Sequence, residues 1–325
     1  MKRTFCLPAV LCAASLVFAG AAGAPAGFAQ GRFPERPVEI IVNFGPGGSA
    51  DQAARSVGKL LPEVLGVAVP ISNVTGASGN AGLTRLRDAR PDGHTIGTFT
   101  GIAVTTMVQG VGKLKLEDFR FLAIADAGTS MFFVGKGSGV KSFREVLDLA
   151  KKSPNKIRVA TAGLGTQDDI AVRALTAAGY PMVNVPMDPG PRHTAPIAGH
   201  AELLFQQIDG VVSFVEAGDL KPIVVFDDRR HPSFADVPAI SEFGLDLKLP
   251  NWRSFAAPAA LPEDRARVLT GALEKVLASK EYRDICGKQH KCLPRLILGE
   301  DARKYAAQYY AEISALMKRL GLAKK

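Results

Sequence analysis

Residues 38–58, VEIIVNFGPGGSADQAARSVG, contain the strand, the loop and the helix from which the fold class can be predicted. The apolar run 40–42 is typical of a buried strand, and the glycine-rich residues 44–48 predict a loop after it. A helix is expected to begin at Ser49, since Ser49 and Gln52 have the S-x-x-Q spacing of a capping box. Such a loop presents unpaired backbone N–H groups at a helix N-terminus, and these groups favour a small anion such as a carboxylate.

The same pattern recurs twice along the chain. Residues 73–82, NVTGASGNAG, and residues 161–167, TAGLGTQ, each follow a strand-like run and precede a predicted helix. One loop of this kind is a weak signal, because many α/β proteins connect a strand to a helix through glycines without binding a ligand. The recurrence favours a binding site, and a ligand-free turn stays the alternative at each position.

The composition is that of a globular protein with more than one domain. The chain has 325 residues, of which 47% are hydrophobic and 22% charged, and this length predicts two domains. The formal net charge of +9 favours anionic small molecules or an acidic partner surface. A nucleic-acid partner is not predicted, because Lys and Arg are scattered and no basic stretch is interleaved with aromatic residues.

Residues 1–29 have the three parts of a secretory signal peptide. Lys2 and Arg3 form a basic start, residues 7–19 are apolar, and small residues follow. Removing this segment takes away two of the 40 basic residues and none of the 31 acidic ones, so the net charge becomes 38 − 31 = +7. An uncleaved membrane anchor is the alternative, although the Ala- and Gly-rich segment is only weakly hydrophobic. We therefore expect an exported protein.

Two cysteines remain after residues 1–29 are removed, Cys286 and Cys292. They lie six positions apart in the segment CGKQHKC, and in an exported protein this arrangement favours a disulfide. A metal site formed by Cys286, His290 and Cys292 is the less favoured alternative, since a fourth ligand is not apparent.

Strands alternate with helices along the chain, which predicts parallel or mixed sheets in two αβα lobes. We expect residues 30–127 and 252–325 to form the first lobe and residues 128–251 the second. Ligands of such sheets bind outside the carboxyl ends of the strands. Two of the glycine loops belong to the first lobe and one to the second, so the predicted site is a cleft between hinged lobes.

Longer motifs make the chain similar to a known family. They are FPERPVEIIVNFGPGGSAD at 33–51, NVTGASGNAG at 73–82 and ARPDGHTIG at 89–97, and weaker matches follow in order along the chain. On these residues the chain resembles the substrate-binding receptors of tripartite tricarboxylate transporters, the TctC or Bug family. The resemblance implies the type II periplasmic binding-protein fold, a periplasmic location, a small carboxylate as ligand and membrane permease subunits as partners. It implies no catalytic activity and no cofactor, and we expect a monomer.

The resemblance also implies the ligand-binding residues. In the family, the first two loops hold a ligand carboxylate through backbone N–H groups and ordered water. The corresponding residues here are Phe44, Gly47, Gly48, Ser49 and Asp51 in the first loop, Ala77, Ser78 and Gly79 in the second, and Gly163, Gly165, Thr166 and Gln167 in the third.

The sequence departs from the family pattern in the second lobe. The family usually has His at the position of Asp169, Tyr at that of Met187 and Asp at that of Gln206. Met187 and Gln206 therefore predict a ligand with the usual carboxylate at one end and a different group at the other. The alternative is that both residues only line the surface of the lobe. Backbone donors predict a mild salt dependence of binding, whereas a steep one would indicate a contact from Arg192 or Arg253.

Motifs of enzymes are not apparent. Ser49 and Ser78 lie in glycine-rich turns but not in G-x-S-x-G. The histidines do not have the H-E-x-x-H spacing, and no phosphate-binding or dinucleotide motif follows a predicted strand. An exported hydrolase is therefore the less favoured alternative to a binding protein. A ligand sensor of the same fold, signalling to a membrane partner, is a further alternative that the sequence does not separate from transport.

Overall fold

The computed structural model describes residues 33–321, so the predicted signal peptide at residues 1–29 lies outside the described part of the chain. The strands are β1 (Glu39–Val42), β2 (Ile71–Asn73), β3 (Thr95–Thr100), β4 (Phe119–Gly128), β5 (Ser130–Gly135), β6 (Ile157–Thr161), β7 (Met182–Pro186), β8 (Leu203–Gln207), β9 (Leu220–Val225), β10 (Asn251–Pro258) and β11 (Ile297–Leu298). The α-helices are α1 (Ser49–Leu65), α2 (Asn80–Arg87), α3 (Gly101–Val108), α4 (Phe143–Lys152), α5 (Gln167–Ala177), α6 (Pro189–Thr194), α7 (Val212–Glu216), α8 (Glu263–Ala278), α9 (Lys280–Lys288) and α10 (Gly299–Arg319).

The first sheet has the strand order β11-β4-β10-β3-β1-β2. β1 pairs in parallel with β2 and β3, whereas β10 runs antiparallel to β3 and β4. Residues 40–42 of β1 are all buried, as expected for a short apolar strand that helices cover on both faces. α1 and α8 pack against each other, and α10 packs against α3 and β4. Because β1 and β3 are parallel neighbours, their carboxyl ends lie at the same edge of the sheet.

The second sheet has the order β7-β6-β8-β5-β9. β6 is parallel to β7 and β8, and β5 is antiparallel to β8 and β9. Its core contains the rings of Phe132, Phe205 and Phe226, whose centroids lie 4.8 to 5.8 Å apart with their edges turned to neighbouring faces, an arrangement that aromatic quadrupoles favour.

The chain crosses between the sheets twice. The first crossing lies between β4 of the first sheet, which ends at Gly128, and β5 of the second sheet, which begins at Ser130. The second crossing ends at Asn251, where β10 begins in the first sheet. The Ser130 hydroxyl donates to the Leu249 carbonyl at 2.6 Å, so the two crossing segments are bonded to each other. The predicted lobe boundaries, 127/128 and 251/252, lie beside these crossings.

Cys286 and Cys292 form a disulfide with their Cα atoms 5.0 Å apart. The loop that it closes carries Lys291, whose side chain is fully buried beside β4, and His290, whose ring packs on Phe234 at a centroid distance of 5.4 Å. The disulfide therefore constrains a loop that contacts β4 of the first sheet and the segment that follows β9. Among residues 33–321, no helix is both long enough and apolar enough to cross a membrane.

Candidate functional site

A pocket of about 370 Å³ lies where the carboxyl ends of β1 and β3 face residues that follow β6 and β7 and the last two residues of β8. This volume is in the range of small-molecule sites. Of the predicted site residues, seven line the pocket: Phe44, Gly48, Ser49, Ser78, Gly79, Met187 and Gln206. The other seven lie outside it: Gly47, Asp51, Ala77, Gly163, Gly165, Thr166 and Gln167.

The first loop presents a helix N-terminus to the pocket, but not through the predicted capping box. Ser49 is the first helical residue, Gly48 takes the N-cap position, and no side chain caps this end of α1. The Gln52 amide donates instead to the Gly47 carbonyl at 3.1 Å. The helix hydrogen bonds start with the Gln52 N–H, which donates to the Gly48 carbonyl, so the N–H groups of Ser49 and Ala50 have no acceptor within the helix. The positive end of the helix dipole adds to their attraction for an anion.

Asp51 shapes this loop and does not line the pocket. Its carboxylate accepts the Gly47 N–H at 3.0 Å and the Arg55 Nε–H at 2.8 Å, and it also accepts the side-chain amide of Asn73. Burial by itself raises the pKa of Asp51, but these hydrogen bonds outweigh it and the pKa lies below its usual value. The donor of Gly47, predicted to bind ligand, is therefore taken by the protein's own carboxylate.

The second loop adopts a left-handed turn against the first. Ala77, Ser78 and Gly79 have φ angles of 47°, 54° and 91°. Gly79 packs so closely on the first loop that a Cβ there would lie 2.9 Å from Phe44 Cζ. Ser78 and Gly79 face the pocket, whereas the Ala77 carbonyl accepts the Asn80 side-chain amide at 2.8 Å. The absence of a side chain at Gly79 lets the two loops form one continuous wall.

The third loop uses two of its backbone donors within the protein. Asp168 accepts the Ala162 N–H at 2.7 Å, and Asp169 accepts the Gly165 N–H at 3.0 Å. These two acidic residues in the first turn of α5 thus occupy two backbone donors of the loop, and of residues 161–167 only Ala162 lines the pocket.

The predicted donors Thr166 and Gln167 are used within the protein. The Thr166 hydroxyl donates to the Gly163 carbonyl at 2.7 Å. The Gln167 amide donates to the Pro250 carbonyl at 2.7 Å and also contacts the Tyr309 hydroxyl. This loop therefore braces the second lobe against the returning chain instead of presenting N–H groups to the cleft.

The far wall of the pocket contains Met187 and Gln206, as the sequence indicates, together with Arg192. Arg192 Nη2 donates to Gln206 Oε1 at 3.2 Å. Burial lowers the pKa of the Arg192 guanidinium, and the charges of Asp168 and Asp188 oppose that change. Burial, reinforced by the charge of Arg192, also lowers the pKa of His193 to about 4. A neutral His193 beside Arg192 leaves the guanidinium as the positive group of this wall.

Arg253, which lines the pocket, belongs to a buried group of four charges. Arg253 on β10 contacts Asp126 on β4 through Nε, and its Nη2 lies 3.1 Å from Asp209 Oδ2. Lys291 Nζ lies 3.2 Å from the other oxygen of Asp126. Two acids and two bases cancel, so the group adds no net charge to the pocket. Because Asp209 follows β8 of the second sheet, the Arg253–Asp209 pair connects the two sheets.

A larger groove of about 740 Å³ lies elsewhere, between α8 and α10. Four of its charged side chains form two ion pairs: Arg120 pairs with Glu263, and Arg303 pairs with Glu300 at 2.7 Å. The cleft pocket is different, because the Asn43 amide nitrogen and Arg192 Nε are buried there without a hydrogen-bond partner among residues 33–321. Buried donors without partners are costly unless a ligand or water satisfies them. The cleft pocket is therefore the candidate site.

Residues 53–322 match the model of the tripartite tricarboxylate transporter family receptor. The chain belongs to this family. A relative described as the "UPF0065 protein in the TAR-I ttuE-ttuC' intergenic region" of Agrobacterium vitis is 29% identical over 255 residues, covering 77% of this chain and 73% of the relative. MatC from Rhodopseudomonas palustris with bound malate is 24% identical, with a TM-score of 0.79 over 87% of this chain and 99% of MatC. The periplasmic binding protein BugD is 22% identical, with a TM-score of 0.82 over 90% of this chain and 100% of BugD.

The predicted fold class is confirmed: this TctC-family protein has the two-lobed type II periplasmic binding-protein fold. The sequence reasoning did not include several polar residues that line its pocket, among them Asn43, Thr100, Gln207 and Asn251. Three of these four lie at or directly after the carboxyl end of a strand, where ligands of parallel sheets bind. A search for polar residues at strand ends would have found them. The part of the chain covered by residues 33–321 contains no group of three His, Cys, Asp or Glu residues able to hold a metal ion.

Proposed function

We propose that this protein is an extracytoplasmic receptor that binds a small carboxylate-bearing ligand between its lobes and delivers it to the membrane subunits of a tripartite tricarboxylate-type transporter. The observation that supports this most directly is the uncapped N-terminus of α1, whose Ser49 and Ala50 face the pocket. A carboxylate accepts hydrogen bonds from such donors and is favoured by the helix dipole. The family assignment and the malate bound to MatC agree with an anionic ligand.

Binding would involve both lobes. The first lobe supplies the donors at α1 and the wall formed by Ser78 and Gly79, and the second supplies Met187, Arg192 and Gln206. The two sides already contact each other, because the Ser78 hydroxyl lies 3.5 Å from the Leu164 carbonyl. A ligand that contacts both lobes stabilises the closed arrangement by its own binding energy. In this proposal the closed, liganded monomer is the form that the transporter recognises, and the protein catalyses no reaction.

The proposal includes export to the periplasm. Residues 1–29 have the pattern of a signal peptide, and the family is one of periplasmic receptors. Transport and sensing share the binding step, so the ligand test below applies to both. A pull-down of membrane proteins with the liganded and the empty receptor distinguishes transport from sensing, because the captured protein is a transporter subunit in one case and a signalling protein in the other.

The test is thermal unfolding of the mature protein against a panel of carboxylates, each with its neutral amide as control. A ligand at about 100 times its Kd adds about 2.7 kcal/mol to the stability of the folded state. In a chain of this size that raises Tm by roughly 5 °C. We expect a shift for a class of acids and none for the amides. A flat panel, with native mass spectrometry finding no retained ligand, would contradict the proposal.

A matched pair of variants assigns the shift to the pocket. Ser49→Glu places a negative charge at the N-terminus of α1 inside the pocket, and we expect it to abolish the shift by repelling the ligand carboxylate. Ser213→Glu adds the same charge on an exposed residue of the short helix α7, and the shift should stay. Equal shifts in both variants would place the carboxylate somewhere else.

A further inference from the structure

The two lobes also contact each other outside the cleft pocket. Residues 286–292, called here the disulfide loop, follow α9, which packs on α1 and α8 of the first lobe. Their His290 reaches the turn 231–234, which follows β9 of the second sheet. His290 Nδ1 lies 3.1 Å from Ser233 Oγ, and its ring packs on Phe234 at a centroid distance of 5.4 Å. None of these residues lines the cleft pocket, so the contact is a separate one between the lobes.

The disulfide loop is fixed to the first lobe at several points. The Ala127 N–H donates to the Lys291 carbonyl at 3.1 Å, and Lys291 Nζ lies 3.2 Å from Asp126. The Gln289 side-chain amide donates to Gln52 Oε1 at 3.2 Å, in the helix α1 whose N-terminus lines the cleft. A movement of the second lobe away from the first must therefore break the contacts between the disulfide loop and the turn 231–234.

His231 holds the turn in place. Its Nδ1 accepts the Ser233 N–H at 3.1 Å, so the neutral ring carries its proton on Nε2. Its ring centroid lies 5.4 Å from that of Phe234 and 6.1 Å from that of His290. Protonation of Nδ1 removes the acceptor of the Ser233 N–H, because an imidazolium has donors only. The turn then loses the hydrogen bond that places Ser233 and Phe234 against His290.

The charges around the two rings do not compensate a charge on them. Among residues 33–321, no carboxylate oxygen lies within 4.0 Å of a ring nitrogen of His231 or His290, whereas His94 has such a neighbour in Glu35. The charged groups of the adjoining segments are paired or exposed, with five acids and five bases. They are Arg230 with Glu242, Asp227 and Asp228 with Lys248 and Arg229, Lys291 with Asp126, and the exposed Asp236 and Lys288. Two imidazolium rings at this contact therefore repel each other.

The pKa of His231 agrees with this geometry. Burial lowers the pKa of His231, and the charge of His290 lowers it further, although a hydrogen bond with the His290 backbone opposes the change. The neutral ring is therefore favoured in the folded state, and its contribution is complete above the ordinary pKa of about 6.5. This contribution is lost as the pH falls below that value.

We propose that the contact between the disulfide loop and the turn 231–234 is a pH-sensitive latch between the lobes, closed while His231 and His290 are neutral and open when both are protonated. The inference goes beyond the proposed function, because it concerns the position of the lobes and needs no ligand. In a receptor that closes on its ligand, an open latch in acid favours release. His193, with a pKa of about 4, stays neutral at pH 5 and does not contribute.

The experiment measures the distance between spin labels on the two lobes of the mature protein, without ligand, at pH 7.5 and pH 5. Glu63→Cys on α1 and Asp148→Cys on α4 place one label on an exposed residue of each lobe. At pH 5 we expect a longer distance, with the ratio of open to closed molecules raised about tenfold or more. The reason is that two hydrogen bonds are lost, each equivalent to about fivefold.

A labelled variant with both His231→Gln and His290→Gln cannot become charged at the latch, so its distance should be the same at both pH values. His200→Gln is the matched control, because it removes an exposed histidine of the second lobe, and it should behave as the native protein does. A native distance that does not change between pH 7.5 and pH 5 overturns the latch. An equal change in the double variant also overturns it, since another group then titrates.

If the double variant does not fold, a titration of His231 by NMR decides between the outcomes. In the single variant His290→Gln, the midpoint of the His231 titration should rise, because the charge of His290 lowers the pKa of His231 in the native protein. An unchanged or lower midpoint overturns the inference. Neither measurement uses a ligand, so failure of the latch and failure of the proposed function are separate results.

Discussion

Replacing Arg253 by Met tests whether the charges under the cleft hold the two sheets together. Arg253 is 1% exposed, and the carboxylates of Asp126 and Asp209 that it contacts are fully buried. With Arg253 removed, Asp126 keeps Lys291 as its partner at 3.2 Å. Asp209 loses its cation, and the group passes from two bases and two acids to one base and two acids. One negative charge is then buried without compensation.

The magnitude follows from this imbalance. Removing one partner of a buried pair destabilises a protein by about 3–5 kcal/mol, because the remaining charge stays desolvated. An exposed pair contributes about 0.2–1 kcal/mol. Lys136 and Asp219 form such a pair at 2.6 Å, and the Lys136 side chain is 66% exposed. Lys136→Met therefore removes the same charge at a position where water compensates the loss, and it serves as the control.

The assay is urea unfolding followed by circular dichroism, with the apparent free energy of unfolding compared between variants. We expect a loss of about 3 kcal/mol or more for Arg253→Met and of less than about 1 kcal/mol for Lys136→Met. Adding Asp209→Leu to Arg253→Met should restore part of the loss, since no unpaired charge then stays buried. A loss below about 1 kcal/mol for Arg253→Met would refute the reasoning, because it would mean that water reaches Asp209.

Two further predictions concern the walls of the pocket. Gly79→Ala should lower the free energy of unfolding by about 1–3 kcal/mol and weaken ligand binding. The reason is that Gly79 has φ 91° and that a Cβ there would lie 2.9 Å from Phe44 and from Asn43. An unchanged Tm and Kd would contradict the close approach of the loops. Burial and the charge of Arg192 lower the pKa of His193 from 6.5 to about 4. The neutral form of His193 is therefore favoured in the folded state, and its contribution to stability is complete above pH 6.5. This contribution, about 3 kcal/mol in total, is lost as the pH falls from 6.5 towards 4. His193→Gln should remove this part of the pH dependence in urea titrations between pH 7 and 4, and an unaltered pH slope would show that His193 titrates as in the unfolded chain.

The sequence by itself determined the first strand, loop and helix, since these depend on neighbours in the chain, and the alternation of strands with helices indicated the α/β class. The run 40–42 is apolar enough to form a buried strand, and the strand ends at Val42, shortly before the glycine-rich loop. A strand and a helix form locally, so their period and end signals are visible in a short window. The start of α1 at Ser49 follows from such local signals, whereas the left-handed turn at 77–79, which includes the non-glycine residues Ala77 and Ser78, was not predicted.

Which donors face the pocket was decided by the tertiary structure. The patterns at Ser49 and at Gln167 both indicate a helix N-terminus, and in each helix an aspartate of the first turn accepts a loop N–H, yet only the start of α1 lines the pocket. Each helix start is set by local sequence, whereas its position at the cleft depends on the packing of the two sheets.

The positions of Arg192 and Arg253 also required the fold. One lies on a short helix after β7 and the other on the strand that returns to the first sheet, and only the packing of both sheets brings them to one pocket. Their charge is visible in the sequence, but burial and the identity of the partner are properties of distant segments. Arg253 meets Asp126 and Asp209 from separate strands, whereas Arg192 meets no carboxylate among residues 33–321. This difference between the two arginines is contained only in the tertiary structure, because their partners come from segments far apart in the chain.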